Sequence, residues 1–94
     1  MQTIALNKPV TFDGKEYTKL ELDFDSLTGR ELMKAEAEAK ALNPGGFAPV
    51  LELSKPYQVV VAAKAAKVPV DVIMDLSGSD YTKVTVAAQN FLLG

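Results

Sequence analysis

Asp23 and Asp25 are the first residues along this 94-residue chain whose type and spacing could do chemistry. Two positions apart at the end of a strand, their carboxylates would project to one side and could touch a divalent cation. Calcium needs several further oxygens, however, and no neighbouring loop supplies them, so the pair also reads as a polar strand edge. Ser77-Gly78-Ser79 has the outline of a reactive-serine turn. It lacks the preceding strand, the glycine frame and any base that could activate a hydroxyl. Ser54 and Lys55 are neighbours at a helix start, and adjacent positions on a helix diverge instead of forming a nucleophile and its base. Asn43-Pro44-Gly45-Gly46 has glycines but neither the lysine nor the hydroxyl of a phosphate-binding loop, and stops a helix instead.

The chain contains no histidine and no cysteine. The first absence removes the commonest general base near neutral pH, and the two together remove the usual zinc ligand sets and any nucleophile paired with histidine. Cysteine-free, the chain must also hold its fold by packing alone. The expectation is a protein that is not an enzyme and carries no cofactor or metal.

The elements that must place these residues are legible in the hydropathy pattern. Ile4, Leu6, Val10 and Phe12 alternate with polar residues, as do Leu20, Leu22 and Phe24 after the Asp13-Gly14 turn signal, which predicts a β-hairpin over residues 1–25 with one buried face. A two-residue loop at Asp13-Gly14 would set Leu6 opposite Glu21 and mix the faces. A three-residue loop, Phe12 to Gly14, pairs Leu6 with Leu20 and is preferred. Pro9 cannot donate to a ladder, so the strand is broken or at an edge there.

After Phe24 the period changes. Thr28-Gly29-Arg30-Glu31 is a capping box ahead of a helix from about Gly29 to Leu42, with Leu32, Ala35, Ala39 and Leu42 as its apolar stripe. A loop spans 43–53. Ser54-Lys55-Pro56 can then start a helix, although Tyr57 to Val61 has strand-like composition and only the helical Ala62 to Lys67 that follows decides for a helix. Pro69 suits the start of a short helix through about Leu76. The expected architecture is α+β, one domain over 1–94: the hairpin, then three to four helices packed on one face of it.

The last helix has the clearest signature. Ser77-Gly78-Ser79-Asp80 is a second capping box, and Tyr81, Val84, Thr85, Ala88, Phe91 and Leu92 recur at spacings that form one core-facing stripe. Thr82, Lys83, Gln89 and Asn90 should face water. Val86 and Leu93 fall on that polar side, beyond what an internal core requires. Scattered apolar residues are ordinary on a surface, but a seam for another chain explains them as well. Val86, Phe91, Leu92 and Leu93 are therefore candidate partner contacts, with Phe47 and Val50 in the loop as a second group; for Phe91 and Leu92 an internal core role competes.

Net charge is −2, and the basic residues are dispersed along the chain, which argues against nucleic acid as a partner. The longest apolar run, Tyr57 to Ala63, is too short for a membrane helix, and the N-terminus has no signal-peptide pattern. A soluble protein that stays in the cytoplasm is expected.

Leu6-Asn7-Lys8-Pro9-Val10 leading to Asp13-Gly14-Lys15, Leu20-Glu21-Leu22 leading to Leu27-Thr28-Gly29-Arg30-Glu31-Leu32 and Ala35-Glu36, and Ser79-Asp80-Tyr81 leading to Phe91-Leu92 stand in an order and spacing that resembles the tail assembly chaperone family of contractile-tailed phages and prophages, the Mu-like group in particular. The resemblance covers almost the full length; Ala41 to Leu53 departs from it. It implies a small non-enzymatic protein that binds the tape-measure protein in the host cytoplasm during tail building and is absent from finished tails. A structural virion subunit or adaptor, a homo-oligomer using the same apolar seam, is the competing reading.

Overall fold

The computed structural model describes residues 1–46 and 50–94; the candidate contact Phe47 lies outside the described residues. Strands β1 (Gln2–Phe12) and β2 (Lys15–Leu22) form an antiparallel hairpin, followed by helices α1 (Gly29–Leu42), α2 (Lys55–Ala66), α3 (Val70–Met74) and α4 (Gly78–Leu93). Short 3-10 turns at Phe24–Ser26 and Leu51–Leu53 lead into α1 and α2. The α+β expectation holds.

The hairpin closes differently from the expected three-residue loop. Phe12 pairs with Lys15, so the loop is Asp13-Gly14 alone, and both residues have positive φ, 52° and 78°, as a type I′ turn demands. The feared mixing of faces is avoided further along. Leu6 to Pro9 lie opposite Thr18 alone, and this irregularity shifts the register by an odd number of residues, so Ile4 then faces Leu20. Pro9 sits in that interruption, where its missing N–H breaks no ladder bond.

Helix α1 begins with the predicted box: the Thr28 hydroxyl accepts the Glu31 amide and the Glu31 carboxylate accepts the Thr28 amide, each at 3.3 Å. Ala35 and Ala39 are buried against α2, and Lys64 of α2 reaches Glu38 at 3.2 Å. Leu42, expected on the same stripe, is 44% exposed; it is the last residue of α1, at the edge of the packing where Asn43 caps the helix.

Helix α2 is the centre of the molecule. Tyr57 through Ala63 and Ala65 are all buried, since α1, α3, α4 and β2 surround it. A helix covered on every side needs no polar face, so its sequence loses the helical period and the β-branched run at Val59 to Val61 looks like a strand. Leu20 and Leu22 of β2, Ile73 of α3 and Val84 of α4 complete the core around it. Removing apolar surface from water at roughly 25 cal/mol per Å² is what holds this arrangement in the absence of disulfides.

Candidate partner-binding surfaces

Asp80 fixes where α4 stands. Its amide donates to the Ser77 hydroxyl at 3.4 Å, as the capping signature requires, but its carboxylate turns away from the Ser77 amide toward the hairpin. Oδ1 accepts the Asn7 amide at 2.9 Å, and Oδ2 accepts the Lys8 amide at 3.1 Å and the Ser77 hydroxyl at 3.0 Å. Those two amides lie in the strand interruption, where β2 offers them no partner. One buried carboxylate therefore satisfies the bulge and the helix start together. The Asn7 amide holds the Asp80 carboxyl below its ordinary value of 3.8, helped by the Lys8 amide, the Ser77 hydroxyl and the Lys83 ammonium; burial opposes them.

The inner stripe of α4 is as expected: Val84, Thr85 and Ala88 are buried, and Tyr81, Phe91 and Leu92 pack partly against the core. Phe91 stacks on Phe24 with ring centroids 5.0 Å apart, so its main role is internal. Gln89 does not simply face water, because its Oε1 accepts from Nε2 of the buried Gln58 at 3.0 Å. Val86 is 39% exposed and Leu93 55%. Val86 borders a shallow groove between α4 and the Gln2–Ala5 stretch of β1, while Leu93 stands at the helix end. Val50, the one described loop candidate, is also exposed.

A second apolar surface lies at the other end of α4. Leu42 at the end of α1 and Met74 at the end of α3, 55% exposed, form the lips of a groove of about 270 Å³ whose walls include Pro56, Val59 and Tyr81. Past Met74 and Tyr81 it continues to Leu76 and Gly78. Among the described residues, Lys55 is the one charged residue lining the main groove. Its Nζ donates to Thr85 Oγ1 at 2.9 Å and stands 5.8 Å from the centroid of the Tyr81 ring, and among the described residues it enters no ion pair. Nothing along the chain says that two helix ends will meet, so the sequence does not mark Leu42 and Met74 as one surface.

The residues first considered for catalysis are not brought together. Strand β2 stops at Leu22, Asp23 precedes the 3-10 turn and Asp25 lies within it, so the same-side strand spacing is lost. Among the described residues, no three Asp or Glu side chains gather in a way that could hold a metal ion. No helix among them is long and apolar enough to cross a membrane.

Residues 3–93 match the family model described as "Phage tail assembly chaperone proteins, E, or 41 or 14". The match spans nearly the whole chain, which belongs to this family. No curated protein and no solved structure matches it.

Proposed function

We propose that this member of the phage tail assembly chaperone family is a non-enzymatic holding protein, which binds the tape-measure protein in the host cytoplasm while the tail is built and is left out of the finished particle. The observation that carries the reading is on α4: its inner stripe already fills the core, yet Val86 and Leu93 remain exposed on its outer side. An unassembled tape-measure protein presents long apolar helical stripes that would aggregate in water. Spare apolar helix surface can cover them, and contacts of modest strength permit later release. Val86 and Leu93 are the contacts proposed on this side, with Val50 in the loop segment as a second choice.

Coexpression tests the reading. With this chain present, the tape-measure protein encoded in the same genome stays in the soluble fraction and the two copurify. Failure of both, with each protein folded, contradicts it. Mass spectrometry of purified tails gives the second readout: a stoichiometric signal from this chain would favour a resident structural subunit over a chaperone.

A further inference from the structure

We infer that the groove between Leu42 and Met74 takes an amphipathic helix of the partner, which places a carboxylate on Lys55. The inference rests on the tape-measure reading for the partner's identity, but the groove is separate from the seam at Val86 and Leu93. Tyr81 and Leu93 are about 18 Å apart along α4 at the helical rise per residue and lie on different sides of it.

Three observations select this occupant. The walls come from helices α1, α2, α3 and α4, so the groove offers no strand edge whose unpaired amides and carbonyls could hold an extended peptide. A helix, which brings a backbone that is already hydrogen-bonded, asks nothing of the groove but its apolar walls. The lips are a leucine and a methionine, and methionine's unbranched thioether adapts to the different side chains that successive turns of a long helix would present. Among the described residues, the groove holds one cation and no anion. Thr85 and the Tyr81 ring fix the Lys55 ammonium in place without neutralising it, so a carboxylate at the edge of the incoming apolar stripe completes an ion pair at a prepared position. A basic helix would instead meet repulsion.

Two synthetic helix-stabilised peptides of about 18 residues, long enough to hold helical structure, provide the probe. Both carry a leucine stripe, and they differ only in a Glu or a Gln at its edge. In titrations of the isotope-labelled full chain followed by NMR, perturbed amides should cluster at Leu42, Lys55, Met74 and Tyr81. The Glu peptide should bind about threefold or more tighter than the Gln peptide at low salt, and Lys55→Gln should erase that difference. The double variant Leu42→Ser, Met74→Ser should weaken both peptides by about tenfold or more, while circular dichroism shows the fold intact, because both side chains are already half in water.

Perturbations centred elsewhere, equal affinity for the two peptides, or no binding would overturn the inference, and so would a concentration-dependent dimer occupying the groove. The tape-measure reading is judged apart. If wild type and the groove variants copurify equally well with the tape-measure protein, the groove assignment falls and the chaperone reading stands. If the peptides bind as described but the tape-measure protein never copurifies, the groove stands and its assignment to that partner falls.

Discussion

Asp80 and Tyr81 are neighbours in the first turn of α4 and serve opposite surroundings. On the Asp80 side every polar group is answered: two bulge amides, a serine hydroxyl and a lysine converge on one fully buried carboxylate. On the Tyr81 side, leucine and methionine lips stand in water and an ammonium lacks a carboxylate. The first is a finished joint whose loss costs folding. The second leaves apolar area in water, and it is there that the proposed partner helix is assigned. A small protein without disulfides has little stability to spare, and the apolar area left exposed beside so complete a joint is what supports the proposed contact with a partner.

The largest expected effect breaks the closed side. Asp80→Ala strips the Asn7 and Lys8 amides of their acceptor, and thermal unfolding followed by circular dichroism should show Tm lower by on the order of 10 °C. Asp80→Asn should fall in between, since a single amide oxygen replaces two carboxylate oxygens. Hydrogen exchange at Asn7 and Lys8 should accelerate in both variants. An unchanged Tm would mean that water satisfies the bulge as well as the carboxylate does.

Acid sharpens the same point. The folded Asp80 carboxyl titrates below its ordinary value of 3.8, so its contribution to stability is complete above that value and is lost as pH falls through the depressed one. Between about pH 5 and pH 2 the Tm of wild type should therefore fall more steeply than that of Asp80→Asn. Parallel curves would contradict the assignment.

Thr28→Ala sets the scale of an ordinary helix start, because the Thr28 and Glu31 box is exposed and makes no bond outside its own turn. A loss of about 1 kcal/mol in urea unfolding is expected. If Asp80→Ala cost no more than this, its bonds to the hairpin would count for nothing. The smallest effect per residue belongs to the open side: Leu42→Ser and Met74→Ser should each cost no more than about 1 kcal/mol, since half of each side chain already stands in water. A large loss there would make the lips part of the core.

The difference between the two sides also explains what could be read from the sequence. Local signals were sufficient for the hairpin, both helix starts and the division of α4 that leaves Val86 and Leu93 outside, because capping residues and helical spacing act within a few positions. The turn at Asp13-Gly14 departs from the local expectation for a reason of range. Its two-residue form works only because the strand slips at Leu6 to Pro9, and that slip is tolerated because Asp80, far along the chain, receives the stranded amides. Gln89 follows the same rule, its orientation being set by Gln58 on another helix. Leu42 looked like core because its own helix is periodic; only the placement of α3 and α4 turns it into a lip.

Hydrogen exchange on the complex with the tape-measure protein separates the two sides in one experiment. Peptides covering the end of α1, α3 and α4 should gain protection on binding, while the Asn7 and Lys8 amides, held by Asp80, keep the rates they have in the free chain. A complex that instead protected Asn7 and Lys8 and left Leu42, Met74, Val86 and Leu93 exchanging as before would show that the exposed apolar surface is not what holds the partner.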